Sequence, residues 1–316
     1  MFNKTMWILL LVGFLVNSCA TTHSMDQLQG PANGNITYQT FYDDLSPYGT
    51  WMDYPGYGNV WSPNADDDFR PYASNGYWDY SDEGWAWMSD YSWGWAPFHY
   101  GRWLYDNAYG WLWVPGYVWS PAWVTWGSLD GSYCWAPLMP DVNAGAQFGA
   151  WRPHDFYWNV CPREHIYDHN LGRVLQRPGS VTNISGRVTI INNFGSTSMH
   201  NQYYSRGPAA NEVAQYTHRT VMPVPIRPVN TANLVKHEGN EMHVYRPQVM
   251  RPGDGGTGRV TAPRPREFRQ AQQNVARPVR IDDNWPTARP PEQRMNVQQL
   301  PVNRVGGGGS RVGGRH

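Results

Sequence analysis

Aliphatic side chains are scarce where this chain is most patterned. From Tyr48 to Pro140 there are only eight Val and Leu together and no Ile, so a core built of branched aliphatics is excluded there. Long hydrophobic runs are missing as well. The apolar stretch from Met6 to Val16 has 11 residues, whereas a membrane-spanning helix needs about 20. No nucleophile elbow, Ser-His-Asp signature, P-loop or dinucleotide fingerprint occurs, so no enzyme candidate emerges and no cofactor is expected. The acidic runs Asp66-Asp67-Asp68 and Asp82-Glu83 lack the spacing of a calcium loop.

Tryptophan takes the place of the missing aliphatics. Between Tyr48 and Pro140 there are 14 Trp, and one pattern recurs four times. The copies are YGTWMDYPGYGNVWSP (Tyr48 to Pro63), GYWDYSDEGWAWMSD (Gly76 to Asp90), YGRWLYDNAYGWLWVPG (Tyr100 to Gly116) and WVTWGSLDGSYCWAP (Trp123 to Pro137). Their leading indoles, Trp51, Trp78, Trp103 and Trp126, are 27, 25 and 23 residues apart. Such a period marks supersecondary units that stack because none can bury its apolar face alone. Turn formers sit at the centre of each copy: Pro55-Gly56-Tyr57-Gly58, Asp82-Glu83-Gly84, Asp106 to Gly110 and Asp130-Gly131. Each copy therefore reads as a β-hairpin, and Gly and Pro interrupt every stretch long enough for a helix.

The predicted fold is all-β: an antiparallel meander of Trp-rich hairpins, curled or barrel-like, over residues 41–140. A buried indole supplies roughly 4–6 kcal/mol gross, at about 150–250 Å² each and about 25 cal/mol per Å². Most of these rings are accordingly read as structural. The i,i+2 pairs Trp85/Trp87, Trp93/Trp95 and Trp111/Trp113 should each share one face of a strand. Pairs on both faces of a small meander predict some exposed rings. Trp93, Trp95, Tyr100 and Trp119, near loops rather than hairpin centres, are the candidates for stacking on a ligand.

The ends of the chain point to export. Lys4, the apolar run and the small residues to Ser18 read as a secretory signal over residues 1–18. Val16-Asn17-Ser18-Cys19 resembles the bacterial lipobox, whose cysteine becomes the lipidated first residue of the mature protein. Ala20 and Thr21 do not match an inner-membrane retention signal, so an outer-membrane lipoprotein of the cell envelope is expected. With Cys19 assigned to lipid, Cys134 and Cys161 remain. An oxidising compartment permits them to pair, and two free core thiols are the alternative. Cys161, His165 and His169 are spaced by four, as metal ligands on a helix would be, but Pro162 interrupts that span, and no metal is expected.

Residues 19–40 read as a tether and 141–246 as a second β-rich region. In that region Asp168 is expected to cap a short helix through Leu175, and Val181 to Phe194 to form a strand or hairpin. Residues 247–316, rich in Pro, Arg and Gly, have almost no aliphatic clusters and are expected to be disordered. Charge is divided unevenly. Asp26 to Pro140 carries 13 acids against Arg70 and Arg102, a balance of −11; from Pro247 to the end there are 12 Arg against 5 acids, a balance of +7. A basic tail suits anionic envelope polymers, and for an exported chain nucleic acid is not an expected partner.

The ordered string YGTW (Tyr48 to Trp51), FRPY (Phe69 to Tyr72), WGWAPFHYGRW (Trp93 to Trp103), YGWLWVPG (Tyr109 to Gly116), WSPAWVTW (Trp119 to Trp126) and WAPLMP (Trp135 to Pro140) resembles an uncharacterised family of Trp-rich bacterial envelope proteins with a domain of unknown function. Cys134 departs from the family pattern. The resemblance implies an exported β-rich protein with a low-complexity tail, and no activity. The functional expectation is a non-enzymatic envelope lipoprotein serving as a structural or protein-interaction module. The alternative is a module binding peptidoglycan or surface polysaccharide through exposed aromatics. The expected partners are the membrane, through the lipid anchor, and envelope proteins or glycans.

Overall fold

The computed structural model describes residues 34–140, 153–197, 202–232, 236–251 and 261. The expected leader, Cys19 and most of the expected tail lie outside the described residues.

All four copies fold as hairpins. They are β1 (Gly49–Tyr54) with β2 (Gly58–Pro63), β3 (Gly76–Ser81) with β4 (Gly84–Ser89), β5 (Arg102–Asp106) with β6 (Gly110–Val114), and β7 (Val124–Leu129) with β8 (Ser132–Pro137). In each the leading and trailing tryptophans stand directly opposite: Trp51 and Trp61, Trp78 and Trp87, Trp103 and Trp113, Trp126 and Trp135. Opposed aromatic residues stabilise a strand pair, and in the second and fourth copies the two rings are in contact, 5.2 Å between centroids in each. Three copies have Gly two residues before the leading Trp, and the trailing indole lies over that glycine. A Cβ added at Gly49 would come 2.5 Å from Trp61 Cε2, at Gly76 2.7 Å from Trp87 Cζ2, and at Gly101 2.9 Å from Trp113 Nε1. The fourth copy has Val124 at this place, and its trailing Trp135 instead donates to the Tyr72 carbonyl at 2.8 Å.

The hairpins are of two alternating kinds. The first and third close three-residue loops, Tyr54 facing Gly58 and Asp106 facing Gly110. In both, the closing glycine has positive φ, 69° and 74°, as a three-residue loop requires. In the third, Asp106 Oδ1 accepts from the backbone N–H of Ala108 and Tyr109. The second and fourth close two-residue loops, Ser81 facing Gly84 and Leu129 facing Ser132. Asp130-Gly131 has φ of 44° and 78°, the twist of a type I′ turn.

These kinds assemble separately. Strands β2 and β6 join the first and third hairpins edge to edge, Trp61 opposite Trp113, into a sheet ordered β1-β2-β6-β5. The second hairpin remains two-stranded and packs through its indoles on the fourth: Trp78 lies 4.6 Å from Trp126 and 5.6 Å from Trp135, centroid to centroid. The fold is thus all-β and antiparallel as expected, but the hairpins do not follow one another in a single meander. No closed barrel forms among the described residues. The physical reason lies in the connectors 64–75 and 90–101, which form no strand. They are long enough that the next hairpin need not pair with the edge just completed, since the closure cost of a loop grows only slowly with its length.

Residues beyond 152 add to the same body. Strand β9 (Asn159–Pro162) pairs with β8, and β10 (Thr189–Ile190) with β7, extending the fourth hairpin to a four-stranded sheet. A two-stranded sheet follows, β11 (Phe194–Ser196) with β12 (Tyr203–Ser205). In the last, three-stranded sheet, β13 (Ile226–Val229) runs parallel to β15 (Glu241–Tyr245) and β14 (Lys236–Glu238) antiparallel to it. The helices are α1 (Tyr38–Leu45), capped by Thr37, α2 (Ile184–Arg187) and α3 (Ala210–Thr217). Two local expectations fail. No α-helix runs from Asp168, whose carboxylate is taken by His165 and Arg219, leaving only a 3-10 turn at Leu171–Arg173. Val181 to Phe194 is likewise not one hairpin: α2 interrupts it at Ser185-Gly186, and β10 pairs with β7 instead.

One aromatic core spans Phe41 to Val249. Helix α1 closes the sheet of the first and third hairpins, with Phe41 edge-on to Trp113, Tyr42 edge-on to Trp51, and Leu45 O accepting from Trp61 Nε1. The FRPY stretch binds the hairpins to the later region. Arg70 Nη2 donates to the carbonyls of Phe156 and Trp158, Pro71 O accepts from Asn159 Nδ2, and Tyr72 O–H donates to Phe98 O. The chain also closes on itself: Ile36 bridges Val249, and buried Tyr100 donates its O–H to Pro247 O at 2.6 Å. Residues 247–251 therefore belong to the fold, past the boundary expected at Pro247, and the backbone N–H of Thr261 donates to Gln39 Oε1 at 2.8 Å. Among the described residues no helix is long and apolar enough to cross a membrane.

Candidate functional site

The four rings expected to stack on a ligand are all covered from within the chain. Trp93 and Trp95 lie on a run of turns rather than a strand, both buried. Tyr91 and Phe98 stack on Trp93, at 4.3 and 5.6 Å, and Tyr245 stands edge-on to Trp95 at 4.8 Å. Tyr100 is held at Pro247. Trp119 lies between His99, stacked at 5.3 Å, and the Arg246 guanidinium at 4.1 Å, and Arg246 in turn pairs with Glu83. All 14 tryptophans from Trp51 to Trp135 are at most 6% exposed, which corrects the expectation that some would face solvent. That expectation counted the faces of the hairpins alone, whereas α1, the connectors and residues 153–251 cover the faces the hairpins leave open.

The cysteines do not form the expected bond: Cys134 and Cys161 are both free and buried. Strand register explains this. Cys134 is opposite Val160 and Cys161 opposite Tyr133, so the pleat sends the two sulfurs to opposite faces of the sheet. Burial raises both thiol pKa values, that of Cys161 to about 12, which leaves neither reactive. The spacing of Cys161, His165 and His169 assembles no metal set either. Strand β9 ends at Pro162, His165 Nδ1 bonds Asp168 at 2.8 Å, and His169 packs on Tyr77 at 3.9 Å.

Polar groups buried in the body are mostly structural. Asp79 is at the centre of one set, where His237 Nδ1 lies 2.6 Å from Oδ2 and Tyr167 O–H donates to Oδ1 at 3.0 Å. This ties β14 to β3. The His99 ring, Nδ1 at 3.0 Å from Ser120 O, is held neutral: burial lowers its pKa to about 4.

The two cations of the acidic body behave differently from each other. Among the described residues neither Arg70 nor Arg102 has a carboxylate partner, although 13 acids share their stretch of chain. Arg70 is closed off, with two carbonyls on one nitrogen and Phe156 beneath the guanidinium at 5.3 Å. Arg102 is open. Its guanidinium lies 3.6 Å from the Trp123 ring, Nη1 donates to its neighbour Gly101 O at 2.8 Å, and buried Nε has no partner. Desolvation lowers its pKa to about 10, so it stays charged at neutral pH.

Arg102 lines a cleft of about 230 Å³ together with Tyr38, Tyr117, Gln202 and Arg251. Tyr38 and Tyr117 are stacked at 4.4 Å, and Arg251 lies 5.3 Å over the Tyr117 ring. Backbone at Gly101 and Gly116 lies close behind, since a Cβ at Gly116 would come 2.5 Å from Gly101 N. The sequence reading missed this site. Its signal was present in the isolation of Arg102 among acids, within the YGRW and WVPG words that bring Gly101 and Gly116 together.

Among known proteins, the model of one family, the Family of unknown function (DUF6600), matches residues 42–142. The match begins inside α1 and ends just beyond β8, so it takes in all four hairpins and Arg102. No curated protein and no solved structure matches the chain.

Proposed function

We propose that the protein is a non-enzymatic lipoprotein of the bacterial cell envelope, anchored through Cys19, whose Trp-built β body is a structural or protein-interaction module. The observation that supports this most is the use made of the indoles. Each of the 14 is spent inside the body, which favours a rigid scaffold over an aromatic binding platform. The basic tail, with its balance of +7, gives such a scaffold an electrostatic contact to anionic envelope polymers that weakens with salt. Fractionation tests the anchor: Cys19→Ala should move the protein from membranes to the soluble fraction. Unchanged fractionation with an unmodified mature N-terminus would remove the lipoprotein reading. Crosslinking in intact envelopes tests the module, which should be joined to other envelope proteins through the body as well as the tail.

Glycan binding remains the second reading, favoured now by a different observation from the expected tryptophans. The stacked Tyr38–Tyr117 pair beside Arg102 offers rings and a donor at one cleft. Calorimetric titration with peptidoglycan fragments separates the two readings, since a purely structural module gives no heat.

A further inference from the structure

We propose that the Arg102–Arg251 cleft is an oxyanion-binding site, taking a single carboxylate or phosphate group presented on a small ligand or at the end of a polymer. The argument rests on geometry and charge, and holds whichever reading of the body is right. A desolvated guanidinium without a counter-ion is unfavourable unless its donors are satisfied. Arg70 meets that demand with the carbonyls of Phe156 and Trp158. Arg102 has no such pair among the described residues: Nε is unpartnered in both arginines, but the hydrogen bond of Arg102 goes only from Nη1 to the adjacent Gly101, and its Nη2 meets no protein acceptor there. Trp123 beneath the guanidinium plane holds it in position and leaves the edge of the fork, where donors point, for a ligand.

A second cation converges on the same volume. Arg251 lines the cleft from the far end of the fold, 149 positions along the chain from Arg102. Among the described residues no Asp or Glu lines it, while Gln202 and Tyr38 add neutral polar groups. Size narrows the ligand further. Sites for drug-sized molecules run from about 300 Å³ upward, so about 230 Å³ suits one acidic group with at most a sugar ring attached. A planar guanidinium recognises carboxylate and phosphate by the same paired donors, so this chemistry does not choose between them, and the experiment does.

Isothermal titration of the full-length chain with inorganic phosphate, with glucuronate, and with glucose as the neutral control at matched ionic strength reads the site directly. At least one of the two anions should bind and glucose should not; which anion binds identifies the group. Arg102→Gln should weaken that binding about tenfold or more, as loss of a charge-assisted hydrogen bond predicts, and exposed Arg251→Gln should weaken it by a smaller factor. Melting curves accompany each variant. If Arg102→Gln unfolds, Arg251→Gln decides: weakened binding supports the site, and unchanged binding overturns it. Failure of both anions to bind the wild type, or equal binding by a folded Arg102→Gln, overturns it as well.

Discussion

The first and third hairpins and the second and fourth carry the same opposed tryptophans but solve the problem of burying them differently. The first pair fuses edge to edge, so Trp61, Trp113 and Trp103 form a continuous row across three strands. Its inner face is then closed by α1 from the N-terminal side. The second pair meets face to face through indoles, and is closed by later chain. Trp85 Nε1 donates to Pro208 O, Trp85 N–H to Arg206 O, and β9 and β10 flank the fourth hairpin. One repeated word therefore specifies the hairpin and its ring pair. Loop length and the segment that arrives to cover it set the assembly.

The largest test of this difference is truncation of a ring in each half. Trp113→Ala should destabilise by about 5 kcal/mol, because it opens a cavity shared by three strands and leaves the Tyr100 carbonyl without its indole donor. Trp126→Ala should cost about 1 kcal/mol less, since its indole N–H has no partner to lose. Equal losses, measured by denaturant unfolding, would mean that the edge-to-edge row adds nothing.

The seam between the halves should respond to acid. His99 has a folded pKa of about 4, below its unfolded 6.5. Its contribution is therefore fully present above 6.5 and is lost as pH falls to 4. The loss across that window is about 3 kcal/mol, at 1.36 kcal/mol per unit. His99→Asn, which keeps a donor toward Ser120, should flatten this part of the stability profile; a profile identical to wild type would remove His99 from the account.

The glycine under the trailing indole sharpens the comparison among copies. Gly49→Ala should cost about 2–3 kcal/mol, because its Cβ would come 2.3 Å from the Ser62 carbonyl oxygen and 2.5 Å from the Trp61 ring, so that both strand and ring must shift. Val124→Ala, at the matching place in the fourth copy, should cost about 1–2 kcal/mol by loss of packing alone. A neutral Gly49→Ala would show that the ring and the Ser62 backbone both have room to shift.

The closing segment, residues 247–251, gives the smallest change. Removal of residues 252–316 should leave the melting transition nearly unchanged. Removal of 247–316 should cost about 2 kcal/mol, because Tyr100 loses its acceptor and Val249 its place in the core. If the longer deletion costs nothing, the Ile36–Val249 bridge is incidental.

What was legible in the sequence was local. Trp spacing and the turn residues from Pro55 to Gly58 and at Asp130-Gly131 define hairpins because strand period and turn chemistry act over a few residues. Pairing between hairpins was not legible: β2 meets β6 rather than β3, a choice made by contacts some 50 residues apart. Nor was Cys134 facing away from Cys161, which depends on a one-residue register between β8 and β9. The ligand-stacking rings were not legible for the same reason, since Trp95, Trp119 and Tyr100 are buried by Tyr245, Arg246 and Pro247, far along the chain; Trp93 is covered closer by, by Tyr91 and Phe98. Arg102 was visible as an isolated cation, but the cleft exists only because Arg251 and Gln202 are brought to it.

The central claim is that both kinds of hairpin and the chain after residue 152 form one cooperative core. Native-state hydrogen exchange read by mass spectrometry tests it most directly. Backbone amides of β2, β6, β8 and β9 should all exchange through the same global opening, with the same free energy and the same response to denaturant. If β8 and β9 exchange through a separate, weaker opening while β2 and β6 stay protected, the halves are independent units and the single core is contradicted.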